Sequence, residues 1–237
     1  TLTHAKDNHI SDSSYDTTHT HHGLSAFGKT VVEEMNRLGI MVDVSHITDD
    51  AFYDVMKISK APVLASHSSC RYFTPGWERN MSDPMIKLLA SNGGVIMINF
   101  GSDFINDDYR KKDSIVRAEI HTYLKEKNWL PEDSLAKAYE KEYRAEHPFA
   151  HADVREVASH VDHAVKLAGI DHVGIGSDFD GVGDSLPIGL QDVSQYPNLI
   201  YELLKLGYSK NDVEKICGLN LLRMWSNVEQ IAHAVQK

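Results

Sequence analysis

Cysteine is scarce in this 237-residue sequence: Cys70 and Cys217 are the only two. Two thiols cannot staple a framework, and they leave the redox compartment undecided. No apolar run approaches the roughly 18 residues of a membrane span, and no signal-peptide pattern is present. Basic residues are in deficit, with 24 Lys and Arg against 34 Asp and Glu, a formal net charge of -10. A nucleic-acid surface, which shows as clustered Lys and Arg, is therefore not expected. What remains, 42% hydrophobic and 24% charged, is ordinary globular composition with material for a sizeable core. The one excess is histidine, at fourteen residues. Imidazole is the commonest metal ligand and titrates nearest neutrality, so the positions of these histidines decide what they mean.

Short apolar runs alternate with helical patterns. Ile40–Ser45 runs into His46, Pro62–Ser66 into His67, and His172–Ser177 into Asp178. Val95–Phe100 follows the turn pair Gly93-Gly94, and Leu2-Thr3 before His4 is a shorter fifth candidate strand. Runs with so little alternation suit strands covered on both faces, as in parallel sheets. Between them, Ser25 and Gly39 bracket a helix with a candidate apolar face of Phe27, Val31, Met35 and Leu38. Thr48 opens a second helix carrying Phe52, Val55 and Met56, and Asp83-Pro84 a third with Met85, Ile86 and Leu89. Val154, Val157, Ala158, Val161, Ala164, Val165 and Ala168 form the clearest amphipathic stripe. Further helices follow from Pro197 and from the Ser209–Asp212 capping box.

Strand–helix repetition argues for an α/β fold with right-handed crossovers, read as a (β/α) barrel in one domain, 1–237. Residues 101–152 break the rhythm with polar sequence and weak helical patterns at 114–126 and 133–146, so they read as an insertion on the active-site face. Five candidate strands fall short of the eight a closed TIM-like barrel needs, so the strands form either an open sheet or a barrel whose N-terminal part is missing.

Four candidate strands end in a chemistry-bearing side chain: His4, His46, His67 and Asp178. Neighbouring parallel strands lie about 4.8 Å apart, so side chains at adjacent tips can meet on one ion. His46 and His67 lie one crossover apart, and imidazole nitrogens about 2.0–2.1 Å from zinc are ordinary ligands.

Several stretches carry a family resemblance. They are Leu2-Thr3-His4, Gly23-Leu24-Ser25 with Phe27-Gly28, Asn36–Gly39 leading to Asp43-Val44-Ser45-His46, Ser66–Ser69, and Arg79-Asn80. Gly176–Gly181, Gly189–Ser194 with Tyr196-Pro197, and Asn220–Arg223 continue the order. Over essentially its whole length the chain resembles the renal (membrane) dipeptidase family of zinc peptidases. The resemblance implies a metal-dependent (β/α)8 TIM-like barrel with two Zn2+ ions at its mouth. It implies that His46 and His67 ligate the second zinc, that His4 touches the substrate carbonyl oxygen, and that Arg79 grips the substrate carboxylate. Asp178 takes the acid–base role, passing a proton to the leaving amine. The dipeptide is the implied substrate.

The family's early His-x-Asp pair and bridging glutamate have no counterpart ahead of His4. The chain is accordingly expected to be the C-terminal portion of a longer dipeptidase, about five strand–helix units, partnered by the rest of its barrel, with a homodimer as a further partner option. His19-Thr20-His21-His22 lies in a Thr-rich loop and is not expected to hold native zinc. Cys70 is expected to be a buried inert thiol and Cys217 a core residue. Arg71 is the lesser candidate for the carboxylate clamp, and Trp77 stands near the pocket. Two alternatives stay open: a non-catalytic binding protein derived from the barrel, and a metal-dependent amidohydrolase acting on cyclic amides or lactams. Family members are anchored, exported or cytoplasmic, so the residues leave localisation open.

Overall fold

A computed structural model describes residues 1–236. Its centre is a parallel sheet of four strands in sequential order: β1 (Val42–Asp43), β2 (Val63–Ala65), β3 (Val95–Ile98) and β4 (Val173–Ile175). The register pairs Val42 with Val63, Leu64 with Val95, and Met97 with Gly174. Pleating then sorts the side chains onto two faces. One face carries Val42, Val63, Ala65, Ile96, Ile98 and Val173 into the main core. There they meet α2 (Asp49–Ile58), α3 (Asp83–Ser91) and α7 (Val154–Ala168) through Phe52, Val55, Ile86, Leu89, Val157 and Val161. All six of these side chains are at most 1% exposed, each worth about 1.5–3 kcal/mol of burial. The other face carries Leu64, Val95 and Met97, and is covered by Leu221 and Met224 of α10 (Asn220–Val235).

The helix boundaries follow local chemistry. Ser25 accepts from Gly28 N–H to start α1 (Ala26–Leu38), and Gly39 ends it at φ 75°, a left-handed conformation that costs glycine little. Asp153 with Glu156, and Ser209 with Asp212, form reciprocal capping boxes for α7 and for α9 (Lys210–Glu214). Pro197 lies in the first turn of α8 (Tyr196–Lys205).

Three sequence expectations are corrected. The sheet has four strands among the described residues, not the closed eight of a barrel nor five: Leu2-Thr3 forms no strand, although Leu2 is buried. Its backbone is held by side chains instead, with Asn8 Nδ2 donating to the Leu2 carbonyl at 2.9 Å. On α1 the buried residues are Gly28, Val32 and Asn36, while Phe27 and Leu38 are 60% and 49% exposed. The face is turned because Gly28 packs on the Ile10 backbone, where a Cβ would meet the carbonyl oxygen at 2.1 Å. Cys217 is exposed, lying in a π-helical turn (Lys215–Leu219) that rotates it away from Ile216. Cys70 is buried and donates its thiol to the His160 carbonyl.

Residues 101–152 form α4 (Ser102–Ile105), α5 (Asp107–Lys127) and α6 (Ser134–Glu146). The α5–α6 hairpin has its own small core of Val116, Ile120, Leu124 and Ala136. No described helix is long and apolar enough to cross a membrane.

Candidate active site

All four strands run the same way, so their carboxyl ends deliver Ser45-His46, Ser66-His67, Asn99 and Ser177-Asp178 to one edge. Opposite stand the loop carrying Arg79, the segment holding His4 and Tyr15, and the α4–α6 wall. Together they enclose a cavity of about 970 Å3 lined by His4, His46, His67, Arg79 and Asp178 among others, within the size range of small-molecule sites. Five residues singled out from sequence therefore meet in one place. His46 and Asp178 both adopt left-handed backbone, at φ 75° and 59°. Such strain costs a non-glycine residue of order 1–3 kcal/mol and concentrates at functional sites.

The two imidazoles are ordered from behind. Asp43 accepts the N–H groups of Ser45 and Ser66, both at 3.0 Å, and the Ser66 hydroxyl at 2.7 Å. A carboxylate only accepts, so the Ser66 proton points to Asp43 and His67 Nδ1 donates to Ser66 Oγ at 2.7 Å. His67 Nε2 is then left as acceptor for His46 Nε2, also at 2.7 Å. The His46 Nδ1 lone pair has no partner among the described residues. Burial first, then the charge of Arg79, pushes His46 down to about 2 and lowers His67 as well. Both rings are neutral at pH 7.

That arrangement corrects the zinc expectation. Two nitrogens each about 2.0–2.1 Å from one tetrahedral ion stand roughly 3.3 Å apart; here they are 2.7 Å apart and joined by a hydrogen bond. The Arg79 guanidinium lies 3.2 Å from the same His46 nitrogen, a cation where a second cation is unfavourable. Among the described residues no group of three or more His, Cys, Asp or Glu converges to hold a metal ion. As arranged here, the described side chains at this edge do not by themselves make a zinc site.

Arg79 is the most constrained member. It is 2% exposed, donates from Nη1 to Ser68 Oγ at 2.9 Å, and lies 4.9 Å from the Phe104 ring centroid. The Tyr15 phenol lies against it, and its Nε is buried with no partner among the described residues. Arg71, the lesser clamp candidate, is committed elsewhere: it forks onto both oxygens of Asp49 at 2.6 and 2.5 Å. Asp178 accepts from Asn99 Nδ2 at 2.8 Å through one oxygen. Its other oxygen packs against Gly181, where a Cβ would collide at 2.2 Å, and accepts no hydrogen bond among the described residues. His4 is exposed to the cavity, its ring centroid 4.3 Å from that of His46.

A model of the membrane dipeptidase family, peptidase family M19, matches residues 1–237. The chain belongs to this family. An uncharacterized dipeptidase of Schizosaccharomyces pombe is 36% identical over 240 residues, covering 100% of this chain and 48% of the relative. Dipeptidase verJ of Clonostachys rogersoniana is 39% identical over 98% of this chain and 48% of its own length. The chain thus spans about half the length of the curated relatives it matches. Among solved structures, a probable dipeptidase PvdM from Pseudomonas aeruginosa superposes with a TM-score of 0.77 at 28% identity, over 97% of this chain and 62% of that one. A metallo peptidase from Rhodobacter sphaeroides, liganded with a phosphinate mimic of the dipeptide L-Ala-D-Ala, gives a TM-score of 0.67 at 29% identity, over 87% of this chain and 47% of that one.

Within this M19 chain, sequence reasoning missed the supporting residues: Asp43, Ser66 and Ser68 behind the imidazoles and Arg79, Asn99 behind Asp178, and Tyr15 at the mouth. Asp43 and Ser66 sit inside quoted motifs, so the signal was present as a polar residue in an otherwise apolar strand. Trp77 is not itself a wall residue; it packs on Tyr15 and Phe104, which are. The His19–His22 loop is tied down through backbone N–H groups to Asp7 and Asp12, without imidazoles gathering on one point.

Proposed function

We propose that this chain carries the peptide-binding and proton-handling part of an enzyme that hydrolyses the peptide bond of dipeptides. The observation that supports it most is the meeting of a buried, partly unpartnered guanidinium, Arg79, with a half-free carboxylate, Asp178, in one cavity. A planar guanidinium holds a carboxylate by parallel hydrogen bonds, which selects short peptides with a free C-terminus. Asp178, with one oxygen held by Asn99, takes a proton from the attacking water on the other and passes it to the nitrogen that leaves. His4 donates to the oxygen on which negative charge develops. The neutral His46–His67 pair adds no second charge beside Arg79, which is held by Ser68.

The open edge of β1 and the half-length match support a further reading: additional strands of the same protein pair there to complete a (β/α)8 barrel, with 101–152 as an insertion over its mouth. Amine release from alanyl-alanine tests the activity. Asp178→Asn is expected to lower kcat by roughly 10²–10⁴ with little change in KM, the range for a positioned general acid or base. Equal rates for the two proteins, or a defect confined to KM, would refute the role.

A further inference from the structure

Two buried side chains tie α4 to the loop after β2 in the same way. Asn80, the neighbour of Arg79, is fully buried. Its Oδ1 accepts the Ser69 N–H at 2.8 Å, and its Nδ2 donates to the Phe104 carbonyl, also at 2.8 Å. His160, on α7 and equally buried, accepts the Cys70 N–H on Nδ1 at 3.1 Å. Its Nε2 lies 2.9 Å from the Ile105 carbonyl. A backbone N–H only donates and a carbonyl only accepts, so the imidazole is neutral with its proton on Nε2. Two consecutive N–H groups, of Ser69 and Cys70, are thereby linked through two side chains to two consecutive carbonyls, of Phe104 and Ile105. Neither side chain lines the cavity.

The two ends of this double link are held differently. Residues 68–70 are anchored on the sheet: the Ser68 N–H donates to the Met97 carbonyl at 3.1 Å, and Ser69 Oγ to the Asn99 carbonyl at 3.0 Å. At the other end, α4 is only four residues long, too short to hold itself, because one turn returns less than its nucleation costs. Its last carbonyls have no partner within the helix, and those are the groups that Asn80 and His160 take. The Arg79 guanidinium lies across the same gap. Nη1 donates to Ser68 Oγ at 2.9 Å on one side, and the Phe104 ring centroid stands 4.9 Å from the guanidinium carbon on the other. The double link therefore sets the width of the slot that holds the guanidinium.

We propose that His160 is a positioning residue for Arg79: from outside the cavity, and in parallel with Asn80, it holds the Phe104 ring against the guanidinium and so sets the affinity of the site for a peptide carboxylate. This rests on the dipeptide reading of Arg79. Cutting one arm of the link lets α4 drift from residues 68–70. The guanidinium then gains orientations that do not match a carboxylate, and the binding energy lost is that of preorganisation. The carboxylate is gripped alike before and during bond breaking, so the loss falls on KM and not on kcat.

The imidazole can be divided by substitution. In H160N the amide oxygen stands in for Nδ1 and keeps Cys70, while the donor to α4 is lost; in H160Q the amide nitrogen stands in for Nε2 and keeps Ile105, while the acceptor for Cys70 is lost. Hydrolysis of L-alanyl-L-alanine and of L-alanyl-L-alaninamide, amide hydrogen exchange and melting curves are measured for the wild-type chain and both variants. Each variant should raise KM for alanyl-alanine about 5–10-fold, the size of one neutral hydrogen bond, with kcat and the rate for the carboxamide peptide unchanged. Exchange should quicken over residues 102–106 in both variants, and at the Cys70 N–H in H160Q alone. In the wild type the Ser69 and Cys70 N–H groups should exchange as slowly as those of β3, a check that needs no substitution. Equal losses for the two peptides, faster exchange in α4 with KM unchanged, or fast exchange at Ser69 and Cys70 in the wild type would each overturn the positioning role and leave the dipeptide reading intact. A wild-type chain that treats the two peptides alike would overturn the dipeptide reading of Arg79 and this role with it.

Discussion

The inner and outer walls of the cavity are built on different principles. The inner wall stands on strand tips, where backbone ladders and a buried polar chain from Asp43 through Ser66 to His67 and His46 fix each side chain. The outer wall stands on helices α4–α6, joined by the Asp103–Arg117–Asp113–Arg144 ion pairs over a core of four buried residues. Groups on the inner wall are positioned by structure that persists until the sheet unfolds. Those on the outer wall depend on half-exposed ion pairs, and such regions open locally at lower free energy. Rigid placement suits groups that handle bond breaking, and looser placement suits groups that admit and sort substrate.

Arg79→Leu breaks the inner wall most severely. It removes the proposed carboxylate clamp and should lower kcat/KM for alanyl-alanine by roughly 10²–10³, about 3–4 kcal/mol. A peptide whose C-terminus is a carboxamide should already be poor with the wild type and no worse with the variant. Steady-state rates for the two peptides with both proteins check this.

Asp113→Asn strikes the outer wall alone. Freeing two guanidiniums at once should destabilise the α5–α6 hairpin by about 2–3 kcal/mol, below the 3–5 of a fully buried pair because Arg117 is exposed. Hydrogen exchange should quicken in α5 and α6 and stay unchanged in β1–β4. Uniform quickening would show that the two walls unfold as one unit.

Acid should separate the walls by sign. His46 and His67 are held below 6.5 in the fold, so on acidification the unfolded chain takes up their protons first. Stability from the inner wall is complete above pH 6.5 and falls below it, by at most about 1.4 kcal/mol per pH unit for each ring. Asp103 is raised from 3.8 to about 6, so the folded state takes up its proton first. Between pH 6 and 3.8 acid therefore strengthens the outer wall. Exchange measured at pH 7 and pH 5 should show protection lost near His46 and His67 and gained around α4. Changes of the same sign in both regions would contradict the assignment.

How much could be read from sequence follows the same division. The strand ends were legible because β1 and β2 each close on Ser-His after an apolar run, and β4 closes on Ser-Asp. The helix starts at Ser25, Thr48 and Ser209 were legible because capping is a local interaction. The expected zinc did not follow, because zinc ligation and an imidazole–imidazole hydrogen bond place the same residues at the same strand tips. Only the 2.7 Å separation and the Arg79 contact distinguish them. The outer wall was legible as helices but not as a side of the cavity, since Asp103, Arg117 and Arg144 are far apart in the chain. Ion pairs between helices leave no periodic trace. The turned face of α1 was missed because a glycine, Gly28, makes the closest contact.

The smallest expected effect probes support rather than contact. Asn99→Ala removes the donor that holds one Asp178 oxygen, and should lower kcat about 5-fold, near 1 kcal/mol, with KM unchanged. A matching loss in KM would place Asn99 in substrate binding.

The most direct measurement is a crystal structure of the chain with a non-hydrolysable phosphinate analogue of alanyl-alanine. The analogue's carboxylate should lie on the Arg79 guanidinium, with its tetrahedral centre between His4 and the Asp178 oxygen that Asn99 does not hold. An analogue bound elsewhere, or seated in the cavity with its carboxylate turned away from Arg79, would contradict the inner wall as the reacting centre.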